Sequence, residues 1–526
     1  MTFIKAFFSF IFLGYVLVRE GVVTGFLDDQ DQSDQSISIR LVKSVARLIE
    51  CQLSKDKTQS ENISKALNRL GPSWVKLGQF LATRPDIVGK SVAMNLELLQ
   101  DRMDSFPIEE AKKKVELTIG APIHELFIEF GPAEAAASVA QVHKAKIETP
   151  KGIKTVAVKV IRPDIRTRFA KDLQLFYVAA HAMEYWFKIA NRLRLVQVID
   201  MLAMSIKLEM DLRFEAAAFS EMGENIENDK GFRVPSVNWD RTGRDCLTMD
   251  WVKGIKLTRM ECVREQGFDS ARIANRLNQS FLLHALRDGF FHADMHPGNL
   301  FIDENSDVVA VDMGITGRLK KAERRYLAEI LYGFITRNYK RVAEVHFEAG
   351  YVSENYDIEN FAQAIRAIGE PIHGQSAEKV SIARLLTLLF EVTELFDMKT
   401  QPQLLLLQKT MVLVEGVARK LDPEFNMWQS AAPVVKAQLQ HILGPVGCLD
   451  DARQVISAVG QLAQLTPDWV ARAEKISSEI HRNVVEGGCL DKRTIHAMKK
   501  NRYGLYDRFT LWGILLSLLY AIWTFG

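Results

Sequence analysis

The chain of 526 residues carries 31 glycines, yet no two of them are spaced as G-x-G. That absence removes the fingerprint of a dinucleotide-binding turn, in which glycines let the backbone approach a pyrophosphate. It also removes the glycine-rich loop that covers the phosphates in ordinary protein kinases. The five cysteines (Cys51, Cys246, Cys262, Cys448, Cys489) include no C-x-x-C. They fit buried thiols in a reducing compartment better than a disulfide framework. Charge of one sign is missing too: 67 Lys and Arg face 65 Asp and Glu, a net +2, so no global field favours nucleic acid. There is no internal repeat and no long low-complexity tract. What remains is a globular composition, 48% hydrophobic and 25% charged, in a chain long enough for more than one domain.

The ends are apolar. Phe509 to Phe525, "FTLWGILLSLLYAIWTF", has no charge and reads as a membrane-spanning helix near the lower length limit of about 17 residues. Lys499, Lys500, Arg502 and Arg508 precede it, and Trp512, Tyr520 and Trp523 suit its interfaces. The basic flank places the body of the protein on the cytoplasmic side. Phe3 to Val18 is also apolar but short for a span, and reads as a helix packed on the core or lying in the membrane interface.

Between the ends, Asp29 to Ser38 is a polar break, and helical periodicity runs from there to about Gln100. "TVAVKVI" (Thr155 to Ile161) predicts a β-branched strand, and a long helical region follows from about Arg166 to Asn225. "DCLTMDWVKG" (Asp245 to Gly254) predicts another strand ending in a glycine turn. From Ser270 to about Glu486 the pattern is mostly helical, interrupted by "GFFHADMHPGNLFIDENSDVVAVDMG" (Gly289 to Gly314).

That interruption admits two chemistries. His292, Asp294 and His296 alternate as H-x-D-x-H, a spacing open to a metal site. Alternatively, Asp294 precedes Asn299 by five positions, as in the kinase catalytic loop, and Asp312 ends an apolar strand with Gly314 two residues on. Asn299 and Asp312 would then share Mg²⁺, a hard ion that takes oxygen ligands. Phosphoryl transfer also needs a strand lysine and a helix glutamate. Lys159 and Glu215 answer, although a lone strand lysine or helical glutamate is more often a solvated charge. The metal site leaves Asn299, Asp312 and Lys159 without a role, so the kinase order is the better reading. Where the glycine-rich loop belongs stands "AEAAASVAQVHKA" (Ala133 to Ala145), which reads either as a stiffened phosphate loop or as a plain alanine-rich helix.

Taken together, the motifs resemble the UbiB family of atypical kinase-like proteins. The alanine-rich loop, K-x-G-Q in "GPSWVKLGQFLATRPDIV" (Lys76, Gly78, Gln79), and E-x-D at Glu209 and Asp211 carry the resemblance, with "LLQDRMDSFP", "HADMHPGN" and "QLLLLQKTMVLVEGVARKLDP". It spans about Leu70 to Pro423. Two departures are "DMG" in place of D-F-G and one clear C-terminal span where many bacterial members have two.

The resemblance implies an α+β, bilobal, protein kinase-like fold, predominantly helical, with an N-terminal helical extension and a C-terminal transmembrane helix. Residues 1–105 would hold the extension, 106–254 a small nucleotide-binding lobe, 255–500 a large helical lobe and 501–526 the anchor. ATP would lie against Ala136, Ala137, Ser138, Val139, Lys159, Met249, Asp250 and Val252. Lys159, Glu215 and Asp294 would act on the phosphates and the nucleophile, Asn299 and Asp312 on Mg²⁺. Lys76, Gln79, Glu209 and Asp211 would be regulatory, with the K-x-G-Q extension over the site where a peptide binds in ordinary kinases. After Gly314 the sequence looks helical almost at once and has no A-P-E. The implied role is support of ubiquinone biosynthesis at the bacterial inner membrane. The implied partners are membrane lipid, quinone-pathway enzymes or polyprenyl-phenol intermediates, with room for a homodimer and none for nucleic acid. Three rivals stand beside it: a small-molecule kinase of the aminoglycoside or choline type, a nucleotide-binding scaffold without catalysis, and a flavin-dependent ring hydroxylase.

Overall fold

The computed structural model describes residues 59–82, 103–186, 194–373 and 402–443, with isolated positions at 92, 96, 392, 395, 396 and 398. Both apolar ends lie outside these residues. Among the described residues, no helix is long and apolar enough to cross a membrane.

Two helices come first, α1 (Gln59–Leu70) and α2 (Pro72–Ala82), broken by Gly71, whose φ of 107° suits glycine. Ile63, Ala66 and Leu70 of α1 and Ala82 of α2 bury together, with Trp74 against them. Helix α3 (Ile108–Ile119) closes on Gly120 in a left-handed cap.

A four-stranded antiparallel sheet follows, built from β1 (Glu129–Ala136), β2 (Ala140–Thr149), β3 (Gly152–Ile161) and, later in the chain, a fourth strand at Cys246–Asp250. The period-2 alternation of β3 decides its two faces. Val156, Val158 and Val160, each at most 1% exposed, join Ala111 and Val115 of α3 in one cluster. Each buried valine contributes about 1.5–3 kcal/mol. Lys159 falls between them in register and therefore leaves that cluster.

Three helices cross from β3 to the last strand of this sheet: α4 (Ile165–Trp186), α5 (Leu195–Glu209) and α6 (Leu212–Asn225). Helix α6 starts at Asp211, whose carboxylate accepts the Arg213 N–H at 3.2 Å, an N-cap. After β4 (Phe232–Arg233) comes β5 (Cys246–Asp250), as the sequence predicts, and the chain leaves the sheet through Trp251–Gly254. Gly254 is required there, because a Cβ would lie 2.4 Å from the Ile302 carbonyl oxygen.

The helical part holds two small sheets. In one, β4 pairs in parallel with β9 (Val308–Ala310), beside β8 (Leu300–Ile302) and β6 (Ile255–Lys256); in the other, β7 (Phe290–His292) pairs with β10 (Thr316–Arg318). The last pair corrects one expectation. A strand precedes the helix after Gly314, because Gly317 lets the backbone lie against the Phe291 ring; a Cβ would stand 2.1 Å from it.

Helix α7 (Ser270–Leu283) buries Ile273, Leu277 and Phe281. Beyond β10 run α8 (Lys321–Thr336), α9 (Tyr339–Glu348) and α10 (Ile358–His373), packed through Phe334, Tyr339, Val342, Phe361 and Ile365. The long α11 (Pro402–Leu421) packs along α7, and α12 (Met427–Leu443) ends the described chain.

Candidate active site

The alternation that removes Lys159 from the valine cluster turns it toward α6. Its Nζ donates to both Glu215 oxygens, at 2.7 and 2.9 Å, and to Asp312 Oδ2 at 3.2 Å. Residues 159, 215 and 312, read from three separate segments, thus meet at one ammonium. Glu215 is no surface charge: its side chain is 7% exposed, against 15% for Lys159 and 39% for Asp312.

Two carboxylates compete for one cation, and their environments separate them. Burial pushes the Glu215 carboxyl up to about 7, and the Lys159 charge offsets this only in part. Asp312 also feels burial, but Lys159 and the Gly314 N–H outweigh it and hold the carboxyl well below the usual carboxylate range. Burial alone would lower Lys159; Asp312 and Glu215 together hold it above the ordinary lysine value. The Gly314 N–H reaches Asp312 Oδ1 at 2.8 Å, so the D-M-G turn fixes one carboxylate oxygen while Lys159 holds the other. Met313 is 2% exposed and fills an apolar place in the packing.

Asp294 lies on a turn after β7. The His296 N–H donates to the Asp294 carbonyl and the Asn299 N–H to the His296 carbonyl, both at 2.9 Å. Asn299 Nδ2 donates to the Asp294 carbonyl at 3.3 Å and to its Oδ2 at 3.4 Å, so the amide oxygen of Asn299 is the atom that could hold a cation. The Val311 N–H donates to the Asn299 carbonyl at 3.0 Å, joining this turn to the segment that leads from β9, which ends at Ala310, to Asp312.

The H-x-D-x-H alternative is not assembled. His292 Nδ1 accepts the Asp294 N–H and His296 Nδ1 accepts the Gly298 N–H. Among the described residues, no three His, Cys, Asp or Glu side chains are grouped to hold a metal ion.

The alanine-rich stretch is a β-hairpin, which corrects the helical reading. Ala136 ends β1, Ala140 starts β2, and the Ala137 N–H donates to the Ala140 carbonyl at 2.8 Å. Among the described residues the non-glycine positions with positive φ are Asp164, Arg194, Ser306 and Arg337, so this turn contains none and needs no glycine. Ser138 and Val139 at its tip are buried. On the other side of the sheet, Met249 is buried in β5, and Asp250 pairs with Lys154 of β3 at 2.6 Å instead of lying free; Val252 lies in the connection after β5.

Lys76 of α2 forms an ion pair with Glu209 at the end of α5, joining the K-x-G-Q and E-x-D segments. Gln79 lies one turn along the same helix. Asp211 is the cap of the helix that carries Glu215 and is also gripped by the Arg213 guanidinium at 2.7 Å.

The motif reading passed over Thr410. It is fully buried in α11, and its hydroxyl lies 3.0 Å from the Ala293 carbonyl, next to Asp294, as well as 2.9 Å from its own helix at Leu406. The only signal was its place in the apolar run "QLLLLQKTMVLVEG".

The chain is similar to known proteins over most of its length. Residues 98–346 match the ABC1 atypical kinase-like domain, and residues 365–426 match the UbiB helical domain. The chain is 36% identical over 429 residues to the probable protein kinase UbiB of Marinobacter nauticus, covering 81% of this chain and 76% of that protein. It is 34% identical to the protein of the same name from Aliivibrio salmonicida, covering 83% and 79%, and 36% identical to that from Pseudomonas aeruginosa, covering 79% and 78%. A solved complex of Rv3197 with erythromycin, from Mycobacterium tuberculosis, matches 71% of this chain and 99% of that one at a TM-score of 0.42 and 20% identity, a likeness too slight to argue from. With a mixed helix-and-sheet, kinase-like fold and these relatives, the chain belongs to the UbiB family of atypical kinases.

Proposed function

We propose that this protein binds ATP with Mg²⁺ and hydrolyses it or transfers its phosphate, in support of ubiquinone biosynthesis at the cytoplasmic face of the bacterial inner membrane. The observation that carries the reading is the meeting of Lys159 with both Glu215 and Asp312 at 2.7 and 3.2 Å. A lysine held ionised at the end of its reach is placed to pair with phosphate oxygens, and the buried Glu215 keeps it from swinging away.

The donor set fits Mg²⁺: an ionised Asp312 that is partly exposed, and the amide oxygen of Asn299. A metal bound there would offset charge on the phosphate oxygens. Asp294, with its side chain 31% exposed, is accessible to orient or deprotonate an acceptor hydroxyl or water. The pairing of Lys76 with Glu209 supports a role for the extension in covering the acceptor side.

The test is ATP turnover by the purified protein in liposomes, with and without polyprenyl-phenol precursors, following the γ-phosphate. Phosphate released to water or found on an added precursor supports the reading and distinguishes ATPase from kinase. Absence of both turnover and MgATP binding under all these conditions rejects it.

A further inference from the structure

The alanine-rich turn is bound on its outer side by a residue that no motif singles out. Arg162 follows β3 directly. Its N–H donates to the Val139 carbonyl at 2.9 Å and its Nε to the Ala137 carbonyl at 2.8 Å. The other arm of the same guanidinium, Nη2, donates to the Asp104 carbonyl at 2.7 Å, and the group lies 5.7 Å from the Phe106 ring centroid. The Met103 N–H reaches the Ala136 carbonyl at 3.3 Å. One planar fork therefore ties the turn to the stretch Met103–Phe106, a task that a lysine's single ammonium does not reproduce.

That stretch is anchored in its own right. Gln141, fully buried on β2, accepts the Phe106 N–H at 2.9 Å and donates to the Phe106 carbonyl at 3.2 Å. Its second amide hydrogen serves His143 Nε2 at 2.8 Å. His143 Nδ1 faces the Gly131 carbonyl at 2.9 Å and so carries the ring proton, since a carbonyl only accepts. The network runs from β1 through His143, Gln141 and Phe106 to Arg162 and back to the turn after β1, with both polar atoms of the Gln141 amide and both ring nitrogens of His143 paired. A network this complete, partly buried, has one geometry.

We propose that Arg162 is a positioning residue: by locking the turn Ala136–Ala140 to Met103–Phe106, it fixes how closely the turn approaches the nucleotide and so sets the preference between ATP and ADP. This rests on the nucleotide-binding reading above. Of the two turn carbonyls bound to Arg162, that of Val139 pairs with the backbone N–H and only that of Ala137 is held by the guanidinium. The side chain's own contribution is therefore the link from Ala137 to Asp104, which limits closure of the turn over phosphates in addition to alanine's Cβ. Movement of the stretch before α3 would reach the turn through the same guanidinium.

The test uses the full-length protein and its variants Arg162→Gln and Arg162→Lys, with MgATP and MgADP as probes. Amide hydrogen exchange in the nucleotide-free protein should be faster at residues 136–140 by about tenfold, the factor that about 1.4 kcal/mol carries. The amides of Val158 and Leu247, in the same sheet, should be unchanged, which shows that each variant folds. The ratio of dissociation constants for MgATP and MgADP should shift in both variants, because lysine keeps the charge but not the fork. Unchanged exchange at residues 136–140 in both variants overturns the clamp, and faster exchange with an unchanged ATP-to-ADP ratio overturns its role in selectivity. Failure of the unsubstituted protein to bind either nucleotide would instead reject the function proposed above, and the exchange measurement would still decide the clamp.

Discussion

Replacing Lys159 by methionine should cost stability in a way that depends on pH, with Glu215 as the cause. Methionine keeps an unbranched stem of similar length and removes the cation. Two carboxylates lose their partner, but they are not equivalent: the Asp312 side chain is 39% exposed and turns to water, while Glu215 is 7% exposed and has no such exit. Removing one member of a buried pair costs about 3–5 kcal/mol. Glu215 already has its carboxyl raised to about 7 by burial, against which Lys159 works. Without the lysine it must rise further. A group whose folded pKa is raised contributes fully below its unfolded value and loses that contribution as pH climbs through the folded one. In the unsubstituted protein the loss is complete a little above pH 7; in Lys159→Met it continues. The deficit of the variant should therefore widen between about pH 7 and about pH 9, by up to about 1.4 kcal/mol per pH unit. Urea unfolding at several pH values measures it. Adding Glu215→Gln removes the titrating group and should abolish the widening. A deficit that stays constant over this range, or that widens equally in the double variant, refutes the reasoning.

Asp312→Asn should abolish thermal stabilisation by MgATP, because an amide lacks the charge a hard cation needs; the same shift in melting temperature with and without the substitution would argue against the metal role. Deleting the chain from Phe509 onward should raise the soluble fraction on membrane fractionation, and identical partitioning of both forms would show that the tail is not the main anchor. Ala136→Gly or Ala137→Gly should alter ATP or ADP affinity by loosening a turn that alanine already satisfies; unchanged affinities per folded molecule at both positions would reduce the stretch to packing. Thr410→Val should cost about 1–3 kcal/mol by leaving the buried Ala293 carbonyl without its hydroxyl donor, and should lower turnover more than MgATP affinity, since Asp294 follows directly; equal effects on both would mean that Thr410 only packs.

The sequence by itself determined a strand at Thr155–Ile161, another within Asp245–Gly254 whose paired part is Cys246–Asp250, and the order of the charged residues, because β-branched runs and short polar turns carry their meaning locally. It offered Asp294 and Asn299 as candidates through their spacing, and Lys159 and Asp312 through their places on predicted strands in kinase order. It did not determine that residues 215 and 312 share one ammonium, since Lys159 stands 56 residues from Glu215 and 153 from Asp312, and only the packing of α6 and of the segment after β9 against β3 brings both carboxylates to it. The alanine-rich stretch was ambiguous for a local reason: alanine favours helix, and only pairing with β2 makes Ala133–Ala136 a strand. Thr410 and Arg162 were illegible for a different reason. Their partners are backbone carbonyls at Ala293, Ala137 and Asp104, and a carbonyl has no identity in the sequence. Side-chain chemistry could be read along the chain; which backbone groups would need a donor was decided only when the fold took them away from water.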